Sequence, residues 1–184
     1  QHVGAVATSP WWSTVEHIEG PSRLFFQPVM RSLRSLSMAL VDVGSGTRES
    51  IAELCTKGLP KLEQLQCAID EEDSSRRDLD ALLETRALPA LKALAITLES
   101  SDVPRLFASP LVRRLEHLRI RIPVGRGAAL TGELDPLRWR DGSQALGLRS
   151  FEMDLDDRNL RRTTRLSFSA GTTKKLSRLK IELD

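Results

Sequence analysis

The chain has 184 residues, 40% of them apolar and 28% charged, with a formal net charge of +2. That apolar content excludes a disordered chain, two Cys exclude a disulfide scaffold, and no apolar run approaches the roughly 20 residues of a membrane-spanning helix. Leucine dominates, with 30 Leu against 8 aromatic residues; Asn159 is the single Asn, and 21 of the 27 basic residues are Arg.

The chain starts at Gln1 rather than Met, which suggests a processed product or a segment of a longer protein. Residues 1–22 contain no basic stretch followed by an apolar one, so no secretory signal is expected. Asn159 is followed by Leu160 and Arg161, which is no glycosylation sequon. Cys55 and Cys67 fall at apolar positions of a recurring pattern, and are expected to be buried free thiols. Together these features point to a cytoplasmic setting. The Trp11–Trp12 pair with Val15 and Ile18 is expected to form an N-terminal strand that caps the repeating part of the chain.

The pattern is the template apolar-x-x-apolar-x-apolar-x-apolar. Its positions are Leu33, Leu36, Met38, Leu40, then Leu62, Leu65, Cys67, Ile69, then Leu91, Leu94, Ile96, Leu98. Leu115, Leu118, Ile120, Ile122 follow, then Leu148, Phe151, Met153, Leu155, and finally Leu176, Leu179, Ile181, Leu183. The spacings are 29, 29, 24, 33 and 28 residues, a self-similarity that marks a repeat architecture. The last three positions of each template alternate with period two, as in a strand with one buried face. Between templates the period changes. Ile51, Leu54 and Cys55 lie three and four apart, as do Leu79, Leu82, Leu83 and Val103, Leu106, Phe107, which is one face of a helix. Gly58 with Pro60 is expected to end the first of these helices and Pro89 the second. Ser75 with Asp78 resembles a capping pair.

Each unit therefore reads as strand, loop, helix and return, and stacked units share one core. The expected organisation is a single repeat domain over 1–184. Residues 1–30 form a cap and first unit, 31–122 regular repeats, 123–147 an irregular glycine-containing insertion, and 148–184 C-terminal units. Residues 165–170 alternate (Leu166, Phe168, Ala170), so the return there is expected to be extended rather than helical.

These strand positions and repeat lengths resemble the leucine-rich repeat family, in particular its 28–29-residue, ribonuclease-inhibitor-like kind, over about residues 12–184. The resemblance implies an α/β solenoid with parallel strands on a concave face and helices on a convex face. The family's Asn just after the strand is replaced here by Val41, Asp70, Glu99, Pro123, Asp156 and Asp184, so its loop ladder is missing. It also implies a non-catalytic scaffold for protein–protein interaction. The partner would lie along the non-core strand residues, chiefly Gln64, Gln66, His117, Arg119, Arg121, Glu152, Asp154, Arg178 and Lys180, together with Ser35, Ser37, Ala93, Ala95, Ser150 and Glu182.

The competing reading starts from Gly44-x-Gly46, which follows a strand-like stretch and resembles the first motif of S-adenosylmethionine-dependent methyltransferases. Asp70 would then hold a ribose hydroxyl. Bulky Arg48 at the third small position, and Ser, Gln and Arg alternating through the strands, argue against it. No catalytic residue, cofactor or metal is expected, because His2, His17 and His117 lack partners at ligand spacing. Glu152, Asp154, Asp156 and Asp157 read as a solvated acidic face. The basic block from Arg158 to Lys180 is offset by those acids and has no interleaved aromatics beyond Phe168, so nucleic-acid binding is not expected.

Overall fold

The structure, a computed structural model, describes residues 14–21, 32–39, 51–69, 73–124, 148–157, 162–170 and 176–183. The chain divides into two compact units, Gln1–Lys92 and Ala93–Asp184. Both are α/β, with parallel strands alternating with helices.

In the first unit, strands β1 (His17–Pro21), β2 (Ser35–Ala39) and β3 (Gln64–Ala68) run parallel. The pairing is in template register: Ile18 lies opposite Leu36, and Leu36 opposite Leu65. Leu33, Leu36, Leu62, Leu65, Cys67 and Ile69 are buried, while Gln64 and Gln66 are exposed. Helix α1 (Ile51–Lys57) buries Ile51 and Leu54. It stops at Gly58, whose φ of +73° is the left-handed conformation that glycine adopts without a Cβ clash. The Gly58 N–H closes the last turn on the Leu54 carbonyl at 2.9 Å. A Cβ there would stand 3.2 Å from the Ala87 carbonyl oxygen, so the next return packs directly against this turn.

Helix α2 (Asp73–Glu84) buries Leu79, Leu82 and Leu83 and exposes Arg77, Asp80 and Glu84. Two helix boundaries differ from expectation. Because the helix begins at Asp73, Ser75 lies inside it, and Asp78 instead caps the neighbouring helix: its Oδ1 accepts from the Ala52 N–H at 2.9 Å, in the first turn of α1. The helix also ends at Glu84, ahead of Pro89, where the Thr85 hydroxyl takes the Ala87 N–H at 3.1 Å.

Successive strands of this unit are held by a repeated backbone contact. The Glu16 carbonyl accepts from the N–H groups of both Arg34 and Ser35, and the Arg34 carbonyl accepts from those of Glu63 and Gln64. The Glu63 carbonyl in turn accepts from Lys92. The side chains at these positions alternate in sign. Arg34 reaches Glu16 at 3.9 Å and Glu63 at 2.5 Å.

The second unit opens with β4 (Ala93–Thr97), followed by a 3-10 turn (Ser100–Asp102), the short helix α3 (Val103–Ala108) and a second 3-10 turn (Val112–Arg114). Pro104 sits in the first turn of α3, where its missing N–H is not needed. Strands β5 (His117–Val124) and β6 (Ser150–Asp157) continue parallel to β4, again in template register, with Leu94 opposite Leu118 and Leu118 opposite Phe151. The template residues of β4, β5 and β6 are buried. Phe107 of α3 meets Phe151 of β6 with ring centroids 5.8 Å apart and tilted by 58°, which fixes the helix on the core face of the strand. Strand β5 continues through Pro123 and Val124, so the first two residues of the expected insertion belong to the sheet; residues 125–147 lie outside the described residues.

Beyond β6 the direction changes. Strand β7 (Arg162–Ala170) pairs antiparallel with β6, and β8 (Leu176–Leu183) antiparallel with β7. The extended segment expected around 165–170 is present, but as a member of the sheet rather than a return beside it. The reason is length: four residues separate β6 from β7 and five separate β7 from β8. A parallel crossover needs a dozen or more. Phe168 accordingly lies in register with Phe151 and Leu179.

Candidate functional site

The strand residues that alternate with the core form a polar face in each unit. In the first unit the register sets that face out as His17, Ser35 and Gln64, then Glu19, Ser37 and Gln66; His17 and both glutamines are exposed, and Glu19 supplies the one formal charge of these six. In the second unit it is charged and internally bonded. The register sets it out in three rows: Ala93, His117, Ser150, Ser169 and Arg178; Ala95, Arg119, Glu152, Ser167 and Lys180; Thr97, Arg121, Asp154, Arg165 and Glu182. Sequence periodicity thus brings His117, Arg119, Arg121, Glu152, Asp154, Arg178 and Lys180 into one ordered array of the second unit. For Arg178 and Lys180 this is a placement in register.

His117, Arg119 and Arg121 are all exposed on β5, where Leu118, Ile120 and Ile122 are buried. Two of the three are fixed from β6. The His117 Nδ1 and Ser150 Oγ are 2.7 Å apart. Arg119 donates to a single oxygen, Asp154 Oδ2, from both Nε (3.1 Å) and Nη2 (2.6 Å), and Glu152 Oε2 lies 3.6 Å from Nε.

Asp154 departs from the expected solvated acidic face. It lies on the polar side of the sheet yet is only 3% exposed, with the Arg119 guanidinium laid across it. Burying a carboxylate costs several kcal/mol unless it is paired and hydrogen-bonded, and the arginine supplies both conditions. Glu152, one residue pair earlier, stays half-exposed. On the β4 flank the neighbours are small, Ala93, Ala95 and Thr97.

Sequence reasoning missed the alternating charges just before the strands. In the second unit Glu116 repeats the arrangement of the first: its carbonyl accepts from the Arg149 and Ser150 N–H groups, and its side chain meets Arg149 at 3.1 Å. The signal was in the sequence. The residue after the first leucine of the first five templates reads Arg34, Glu63, Lys92, Glu116, Arg149; the sixth has Ser177.

Gly44, Gly46 and Asp70, which carried the methyltransferase reading, lie outside the described residues, as do Trp11, Trp12, Val41 and Asp184. At one of the loop positions where the family's Asn is replaced, Glu99 makes no side-chain cap bond to the 3-10 turn it precedes. Both thiols are free; burial pushes Cys67 up to about 12. Burial likewise raises Cys55 to about 11, opposed by a hydrogen bond with Thr85 and reinforced by the Asp78 charge. Among the described residues no three His, Cys, Asp or Glu side chains group to hold a metal ion, and no helix is long and apolar enough to cross a membrane. No protein-family model, curated protein or solved structure matches this chain.

Proposed function

We propose that the chain is a non-catalytic scaffold of the leucine-rich-repeat kind, which binds a protein partner along the strand face opposite its helices. The observation that carries this reading is the one-sided burial of its parallel strands. Parallel sheets are ordinarily covered on both faces and their strands are apolar throughout. Here β3, β4 and β5 alternate, with Gln64 and Gln66 exposed in one unit and His117, Arg119 and Arg121 in the other. A parallel strand face left polar and uncovered suits a surface that receives another protein. The same alternation weighs against a doubly wound methyltransferase domain, whose strands would be buried on both sides. Two free, deeply protonated thiols suit a reducing, cytoplasmic setting.

Photo-crosslinking tests the proposal. A benzoylphenylalanine placed at Gln66, on the polar strand face of the first unit, or at Ala95, on that of the second, is expected to capture a discrete protein in cells. The same group at Glu84 or Arg113, on exposed helix or turn surface, is expected not to. Equal capture from both sets, or capture from the helix side alone, would sink the strand face as the binding surface.

A further inference from the structure

The polar face of the second unit contains an arginine whose contacts leave one edge of its guanidinium unused. Arg119 carries five N–H donors in a rigid plane. Its Nε and Nη2 are held against Asp154 Oδ2 at 3.1 and 2.6 Å, so the side edge of the plane is spoken for. The Asp154 carboxylate is buried and provides a fixed anchor, and the Arg119 side chain remains 49% exposed. Among the described residues, Nη1 has no partner. The end edge of the guanidinium, one Nη1 hydrogen and the outer Nη2 hydrogen, therefore faces away from β6 with the geometry that takes both oxygens of a carboxylate at once. An arginine fixed before binding loses less side-chain entropy when the partner arrives.

The surroundings say what kind of partner fits. On the β6 side, Glu152 and Asp154 repel a negative group. On the β4 side, Ala93, Ala95 and Thr97 are short, uncharged and partly exposed, so no side chain there repels a negative group. Along β5, His117, Arg119 and Arg121 succeed one another two residues apart, a spacing of about 6.6 Å. An extended chain places alternate side chains on one side at that same spacing.

Resting on the scaffold reading, we infer that the β4–β5 polar face takes an extended acidic segment of a partner protein, with one Asp or Glu carboxylate bound end-on by Arg119. His117, oriented through Ser150, stands at the next place along that segment. Asp154 is the positioning residue that aims Arg119, and it touches no part of the partner.

The probe is a fluorescein-labelled decapeptide of alternating Glu and Thr, with the Lys–Thr peptide as control, titrated into the isotope-labelled full chain. The acidic peptide is expected to shift the Arg119 Nε–Hε signal and the amides of 93–97 and 117–121, and the basic one to shift none of these. Arg119→Lys keeps the charge and loses the planar fork, and it is expected to weaken peptide binding at least fivefold. Arg105→Lys, an exposed arginine outside this face, is expected to leave binding within twofold. Asp154→Asn is expected to weaken binding by a similar factor to Arg119→Lys. Should that variant fail to fold, the Nε–Hε order parameter of Arg119 in the unliganded wild type decides the positioning role: a rigid value supports it and a flexible one refutes it. Undiminished binding by Arg119→Lys, shifts confined to other surfaces, or no binding at all overturns the inference. If crosslinking from Ala95 still captures a protein in that case, the scaffold reading stands and only the acidic occupant is wrong.

Discussion

The two units use one strand template in different ways. In the first, β2 and β3 are joined through α1, and the twelve-residue α2 comes after β3. Its polar face holds a single formal charge by register, Glu19, and both thiols of the chain lie in this unit. In the second, the helix shrinks to six residues between 3-10 turns, a reversed strand, β7, enters between β6 and β8, and the polar face carries fixed ion pairs. In the second unit the template strands β4, β5, β6 and β8 all run one way, and the one reversed strand, β7, carries no template. Direction is set by the chain available for the return. Where a helix fits, the next strand is parallel; where four or five residues remain, it must turn back.

The largest expected effect separates the two cores. Phe151→Ala removes a ring that is 1% exposed and stacked on Phe107, and it should cost the second unit about 3–5 kcal/mol. Hydrogen exchange should then show lost protection across 117–157 while amides 35–92 keep theirs. Equal loss in both would mean that the units unfold as one.

A pH titration probes the contrast from the other side. The folded chain raises the Cys67 thiol from 9.0 to about 12, so it favours the neutral form. The associated stability is full below pH 9 and declines as the pH climbs towards 12, by about 1.4 kcal/mol per pH unit at most. Cys55 acts in the same direction, from 9.0 to about 11. Denaturation midpoints measured between pH 8 and 10.5 should therefore fall for the first unit more than for the second. Cys67→Ala should remove about half of the difference, the rest belonging to Cys55; an unchanged pH profile in that variant would assign the effect to other groups.

The smallest effect lies at the strand starts. Arg34→Glu sets three carboxylates in a row with Glu16 and Glu63 on a solvent-exposed edge, and should destabilise by about 0.5–1 kcal/mol at low salt. The loss should shrink by half or more in 0.5 M NaCl. A salt-independent loss would locate the cost in packing.

Much of this was legible in the sequence for a physical reason. Burial of one strand face repeats every two residues, so Leu94, Ile96, Leu118, Ile120 and Phe151 announced themselves, as did the helix stop at Gly58. The polar face came from the same alternation. Asp154 did not, because its pairing with Arg119 joins residues 35 apart on neighbouring strands and follows no period of its own. The cap that Asp78 lends to α1 escaped for a similar reason: the donor and acceptor are 26 residues apart and meet only once α1 and α2 lie side by side.

The alternating residues at the strand starts imply a rule of parity. Glu16, Arg34, Glu63 and Lys92 succeed one another through the first unit, each joined to the next through backbone. Removing or duplicating one strand with its return would set two like charges side by side, whereas removing or duplicating two would preserve the alternation. An odd insertion would carry its own mark of misfit, a pair of like charges at the strand starts.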